Sequence, residues 1–290
     1  MNSVFSNKKA ICIFVVPTMI IFIGIVFVPI LISSYYSLLE WNGVGQGTFI
    51  GLQNYVEMFT SSRALNSIKN SLLFAAASVF LELPVSLLLA LILAHGVKGE
   101  GFYRTVYFIP VLISTTVIAQ LWSKIYNADY GLLNTLLKTI GLGSLAQDWL
   151  GQTETALVAS FIPTLWQYVG YHMLLMYAGA KSISKEIFEA AKIDGASSTR
   201  MAFSITIPLM KPILKVSLIF ALIGSFKVFD LVYVLTKGGP FFTTEVPSTL
   251  MYTTIFDTYR YGYGSAISVF IIVECFVFTW LINKIIKTNE

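Results

Sequence analysis

The stretch Phe188 to Pro212, FEAAKIDGASSTRMAFSITIPLMKP, gathers Lys, Glu, Asp and Arg into one short segment of a chain that elsewhere avoids charge. Of the 290 residues, 56% are hydrophobic and 12% charged, and the mean hydropathy is +0.75. That composition belongs to an integral membrane protein. The polar segment therefore reads as a connection in water between two membrane spans, and its chemistry is that of a bent hairpin. Ser184 is placed to cap a helix that starts with Lys185 and Glu186 and continues through an Ala-rich run to Asp194. Gly195 supplies the left-handed residue that ends it, and Ser197 or Ser198 caps a second short helix expected to stop before Pro208. A solvated loop is the ordinary reading of such a segment. The small residues Ala190, Ala191 and Ala196 favour a docking element instead, because they let another surface approach closely while Glu189 and Asp194 offer it charge.

Outward from the hairpin, runs of about 20 apolar residues, the length that crosses a bilayer as a helix, occur six times. They cover about Ile11–Ile32, Ser71–Ala94, Val106–Ile125, Ala156–Ala180, Ile213–Leu235 and Ala266–Ile286. The expected fold is an all-α membrane protein of six transmembrane helices. The first run follows Lys8 and Lys9 as a signal peptide would, but it is long and lacks a small-residue cleavage site, so it reads as a retained helix. Positive loops stay cytoplasmic. With the N-terminus inside, the inner segments hold Lys8, Lys9, Lys98, Arg104, Lys181, Lys185, Lys192, Arg200, Lys211, Lys284 and Lys287. The outer segments hold only Arg63, Lys69, Lys138, Lys237 and Arg260. Both termini and the hairpin are therefore expected in the cytoplasm.

Several functions are excluded or disfavoured. A net charge of +4, evenly spread, makes no nucleic-acid surface. Cys12 and Cys275 lie in apolar runs and read as small hydrophobes. No G-x-x-x-x-G-K-[ST] loop, H-E-x-x-H pair or G-x-S-x-G elbow occurs, which argues against an ATPase, a zinc protease or a serine hydrolase. Neither a catalytic site nor a metal site is expected.

The hairpin resembles the EAA motif of permeases in binding-protein-dependent ABC importers. That motif reads E-A-A, three residues, G, nine residues, then I-x-L-P; here Glu189, Ala190, Ala191, Gly195, Ile205 and Pro208 match, with Ile207 in place of the usual Leu. The likeness extends from about Phe49 to Lys284. It includes FIGLQNYVEMF from Phe49, YRTVYFIPVLIS from Tyr103 and FDLVYVLTKGGP from Phe229, followed by YTTIF and YGYGSA, and it is nearest to the carbohydrate-type, maltose-related branch, in the subunit that pairs with a shorter sister permease.

The resemblance implies a type I ABC importer permease, a multi-pass protein of the bacterial plasma membrane. An N-terminal helix and outer loop would occupy 1–65 and the importer core 66–286, with the coupling loop at 181–212. The partners it implies are a sister permease, two copies of an ABC ATPase, an extracellular solute-binding protein, a sugar substrate and membrane lipid. ATP and Mg would be bound by the ATPase subunits and no cofactor by this chain. Glu189, Ala190, Ala191, Asp194, Gly195 and Ala196 would meet the ATPase, Glu189 as anchor and Gly195 as bend. The resemblance also assigns the cavity lining to Gln167, Tyr168, Tyr171, Ala221, Ser225 and Val228.

Gln167, Tyr168 and Tyr171 mix rings with hydrogen-bonding tips at helical spacing, which suits sugar faces and hydroxyls, although packing or an interfacial belt accounts equally for either tyrosine alone. Lys227 and Asp230 are further polar candidates, and three residues apart they are placed to neutralise one another on one helical face. Glu82 and Glu274 sit inside apolar spans, where a charge needs a reason. Lys227 or the sister subunit would satisfy them, or they are protonated. A glycerol phosphate or polyol is the alternative substrate. An ion-coupled secondary carrier would account for the buried carboxylates but not for the hairpin. The stretch Asp129–Gly151 has an amphipathic pattern expected at the outer membrane surface, facing the binding protein together with TKGGPFFTTE.

Overall fold

The computed structural model describes residues 8–287, with side chains described from Cys12 onward. Both chain ends, and the side chains of Lys8 and Lys9, lie outside the described residues. The chain divides into two compact units. One takes in the chain up to Ser61 together with Met251–Phe270; the other takes in Ser62–Leu250 together with the chain from Ile271 onward.

In the first unit, helix α1 (Lys8–Phe22) runs through a π-helical turn at Ile23–Phe27 into α2 (Val28–Tyr36). A two-residue antiparallel ladder follows, β1 (Leu39–Glu40) on β2 (Thr48–Phe49), a small departure from the expected all-helical chain. Helix α3 (Gln53–Thr60) is tied back by the buried Asn54, whose Nδ2 donates to the carbonyls of Ser37 and Leu39 at 2.8 and 2.9 Å. Arg260 donates two bonds to the Glu57 carboxylate, at 2.7 and 2.6 Å.

The second unit contains α4 (Ser62–Ala77), a π turn at Ser78–Glu82, α5 (Leu83–Ala94), α6 (Glu100–Leu112), α7 (Thr115–Ile125), α8 (Leu132–Thr139) and α9 (Ala156–Lys181). After these come α10 (Lys185–Ile193), α11 (Ser198–Met201), a π turn at Ala202–Thr206, α12 (Ile207–Leu209), α13 (Lys211–Phe226) and α14 (Asp230–Leu235). Helices α15 (Pro247–Phe256) and α16 (Tyr261–Ile285) pass between the two units. Helix α9 packs against α4, α5, α6, α7, α13 and α14. Where α9 meets α6 there is room only for hydrogen at position 170: a Cβ on Gly170 would overlap the Tyr107 carbonyl. Close backbone approach at small residues is how membrane helices gain packing when water supplies no driving force between them.

Each of the three π turns among the described residues ends two residues before a proline. Ile23–Phe27 precedes Pro29, Ser78–Glu82 precedes Pro84 and Ala202–Thr206 precedes Pro208. A proline inside a helix removes a donor and crowds the carbonyl four residues back, and a wider turn relieves both problems. This corrects the expectation that the second hairpin helix stops before Pro208. The chain stays helical through Pro208 to Leu209 and enters α13 two residues later.

Among the described residues, four stretches are long and apolar enough to cross a membrane: Cys12–Tyr36, Ser62–Ala94, Lys211–Leu235 and Tyr261–Ile285. The expected third span is broken. Helices α6 and α7 meet at 96° across Ile113 and Ser114, three residues after Pro110, and together form a fifth only if the bent pair counts as one. The expected fourth span is a continuous helix of 26 residues, but Ser160, Thr164, Gln167, His172 and Lys181 dilute it, and it is not among the four. The stretch after Asp129 is partly helical, and the buried Asn134 fastens it: its amide donates to Ala128 and Gln147 while its oxygen accepts from Gln147 and Trp149.

Candidate functional site

A cavity of about 460 Å³ lies in the second unit between the π turn at Ser78–Glu82, α9, α13, the start of α14 and the α6–α7 bend. Gln167, Tyr168, Tyr171, Ala221, Ser225, Lys227, Val228 and Asp230 all line it, so residues from two spans selected on sequence share one wall. Gln167 is only 2% exposed. Its Nε2 donates to the Ile113 carbonyl at 3.3 Å and to Thr115 Oγ1 at 3.2 Å, supplying partners where the helix is interrupted by the bend. Its Oε1 has no hydrogen-bond partner among the described residues. A buried amide oxygen without a donor is costly, and this one belongs to a residue of the cavity wall.

Along the wall runs a polar chain, of which Ser78, Glu82, His172 and Ser225 line the cavity. Ser225 Oγ donates to Ser78 Oγ at 3.1 Å, and Ser78 donates to Glu82 Oε2 at 2.9 Å. His172 Nε2 lies 3.2 Å from Glu82 Oε1, and His172 Nδ1 lies 2.7 Å from Ser217 Oγ. All five residues are buried. The chain joins the π turn after α4 to α9 and to α13 at two levels. Glu82 is thus satisfied by Ser78 and His172, not by Lys227. His172 was legible in principle: an ionisable residue inside a span needs a partner, and Glu82 and His172 were two such residues in different spans.

Lys227 and Asp230 do not form the expected neutralising pair. Helix α13 ends at Phe226 and α14 begins at Asp230, so the residues between them are not helical and the i, i+3 geometry is lost. Both side chains are exposed on the cavity wall, and neither enters an ion pair among the described residues. Glu274, buried on α16, has one carboxylate oxygen without a partner and no ion pair to Lys227.

The hairpin forms a second candidate site. Ser184 occupies the N-cap of α10, and Glu186 bonds back to its own amide and to Ser184, which holds its carboxyl below the usual range. At the other end, Ala196 N–H bonds the Ala191 carbonyl at 2.9 Å and Gly195 N–H bonds that of Lys192 at 3.0 Å. This pair of bonds is a Schellman cap, and it requires the φ of +75° that Gly195 adopts. Ser197 then caps α11 by accepting from Arg200 N–H at 3.3 Å. Glu189, Ala190, Asp194 and Gly195 are exposed, while Ala196 is half-buried. Ala191 is buried within its own chain, so it props the hairpin and cannot belong to a close-fitting outer surface. Ile193, which sequence reasoning passed over, is 87% exposed beside Asp194. An isoleucine inside a charged segment was its only signal.

The model of the binding-protein-dependent transport system inner membrane component family matches residues 82–288. The chain belongs to that family. It is a membrane translocation subunit, an ABC transporter permease, and not an enzyme. A probable ABC transporter permease protein of Bacillus subtilis is 38% identical over 287 residues, 98% of each chain. The trehalose/maltose transport system permease protein of Thermococcus litoralis is 34% identical over 270 residues, 92% of this chain and 90% of the relative. Among solved structures, a bacterial alginate ABC transporter in complex with alginate pentasaccharide-bound periplasmic protein matches with a TM-score of 0.84 at 25% identity, covering 98% of this chain and 97% of that one.

Proposed function

We propose that this permease moves a di- or oligosaccharide across the bacterial plasma membrane as part of an ATP-driven importer. It pairs with a sister permease, receives sugar from an extracellular binding protein and is driven by two ATPase subunits docked on the hairpin. The bundle crosses six times with both termini cytoplasmic, α9 and the bent α6–α7 pair counting as crossings. Alternating access follows when closure of the ATPase pair carries α10 and, through α12, the cavity helix α13.

The observation that carries this reading is the cavity. The side chains of Tyr168, Tyr171, Gln167, Lys227 and Asp230 line one space of about 460 Å³. A sugar offers an apolar face for the tyrosine rings and hydroxyls for the polar groups. The trehalose/maltose permease and the alginate transporter among its relatives agree with that class. Lys227 without an ion pair favours a second reading, an anionic solute such as a glycerol phosphate, which Asp230 on the same wall opposes.

The test is uptake by the complete complex in vesicles. Labelled maltotriose or trehalose should accumulate with internal ATP and external binding protein, and an uncoupler should leave the rate unchanged at constant ATP. Loss of uptake under the uncoupler would point to an ion-coupled carrier, and uptake of glycerol phosphate in preference to sugar would favour the second reading.

A further inference from the structure

A second cavity, of about 330 Å³, lies at the opposite end of α9 from Ala156, where α5 ends and α10 begins. Lys181, Lys185, Lys192 and His95 line it, and among the described residues no carboxylate does. The rest of the wall is largely apolar and includes Phe188 and Met201. Lys181 is already engaged, with Nζ 3.3 Å from the Glu100 carboxylate. Lys185 and Lys192 enter no ion pair among the described residues. Several cations around one space repel one another unless an anion lies between them. Lysines on an open surface are ordinary; lysines around a cavity with an apolar side, at the end of membrane helices, are the arrangement that takes an anionic headgroup.

We propose that this cavity binds a phosphate group, that of an anionic phospholipid at the inner membrane surface, through Lys185 and Lys192. The apolar wall accepts the glycerol backbone and the start of the acyl chains. Both lysines lie on α10, the helix that carries Glu189 and ends at Gly195, so an occupied site steadies the base of the docking hairpin. The inference rests on the proposed orientation, with the hairpin on the cytoplasmic side.

The experiment uses the complete transporter, purified with its ATPase and sister permease, and reads phosphatidylglycerol retained per complex by native mass spectrometry. The parent should retain phosphatidylglycerol in preference to phosphatidylcholine. The double variant Lys185→Gln/Lys192→Gln should retain it about tenfold less, and Lys185→Arg/Lys192→Arg should restore retention. Inorganic phosphate and glycerol 3-phosphate are run as competitors. Displacement of the lipid by either one, with the same dependence on the two lysines, supports the site and assigns it to a soluble phosphate. Equal lipid retention by parent and Gln variant overturns the proposal. So does loss of the ATPase from the Gln variant with lipid retention unchanged, which would give the lysines to the protein interface. Sugar uptake in pure phosphatidylcholine vesicles by both proteins separates this outcome from failure of the transport reading.

Discussion

Two polar connections in the second unit handle their charge in opposite ways. The loop from Lys237 to Glu245 spends its polar groups inside the chain. Glu245, 1% exposed, takes two bonds from Arg63 at 2.7 and 2.6 Å, and the Arg63 guanidinium lies 3.9 Å above the Phe242 ring. Asn70 on α4 donates to the carbonyls of Thr243 and Glu245 at 2.7 and 2.8 Å, and Thr236 bonds Thr244 at 2.7 Å. The hairpin from Lys185 to Met210 keeps its shape with backbone bonds and caps alone. Glu189, Asp194, Lys185, Lys192 and Arg200 enter no ion pair among the described residues. The first loop is a finished piece of structure. The second holds a defined shape while its charged side chains make no ion pair among the described residues, and the exposed Glu189 and Asp194 are those the proposed docking role would use.

The largest predicted effect comes from removing the anchor of the finished loop. Glu245→Ala leaves Arg63 without its bidentate partner. A fully buried pair broken in this way costs about 3–5 kcal/mol, and because Arg63 is half-exposed the expected loss is about 2–3 kcal/mol. Thermal unfolding of the detergent-solubilised protein should show a clear drop in midpoint, whereas the matched cut in the hairpin, Glu189→Ala, should move it little, by about 0.5 kcal/mol or less. Equal drops would abolish the contrast. Next in size is Asn70→Ala, which strands the carbonyls of Thr243 and Glu245 at a cost of about 1–2 kcal/mol, read by the same unfolding measurement.

Gly195→Val sharpens the comparison from the hairpin side. No atom lies within 4 Å of a Cβ built there, so crowding is not the issue; the φ of +75° is. Holding a β-branched residue in that region costs about 1–2 kcal/mol, and opening the bend instead would misdirect α11. Stability should fall modestly while sugar uptake falls far more and ATP hydrolysis persists. Normal uptake would mean that the bend does not transmit ATPase closure.

The hairpin was legible in the sequence because its parts are local. Gly195 and Ser197 act on backbone within a few residues, and Ser184 stands at the N-cap position with its side chain bonded to Glu186, so start, bend and second cap could be read from order alone. The shared cavity wall was legible only through resemblance, since nothing local brings Gln167 and Ser225 together. The Glu82–His172 contact was missed for the same reason: helices α5 to α8 lie between the partners in the chain, and only the packing of α9 fixes which pair. Pro208 was misread because a proline stops an α-helix, yet a preceding π turn removes the conflict, and hydrophobic pattern alone does not distinguish the two. The break between α6 and α7 falls where Ser114, Thr115 and Thr116 follow Pro110, a short polar interruption inside a run that is apolar on average. Composition reports where a chain is apolar, not where it bends.

The smallest structural effect, and the most discriminating one, is expected at Ile193. It stands in the last turn of α10, three residues after Ala190, and both side chains are exposed, so they form one small apolar patch on the charged hairpin. In a merely solvated loop this patch has no role, and Ile193→Ser should leave stability within about 0.5 kcal/mol of the parent and change nothing else. In a docking hairpin the isoleucine is buried by the ATPase, and removing it forfeits part of the roughly 1.5–3 kcal/mol that burial of such a side chain supplies. That corresponds to an ATPase affinity weaker by about tenfold or more. Titration of the purified ATPase onto the permease pair in detergent measures it directly. Weakened association with an unchanged unfolding midpoint places the partner on this face, whereas unchanged association would move the contact to the charged face of Glu189 and Asp194.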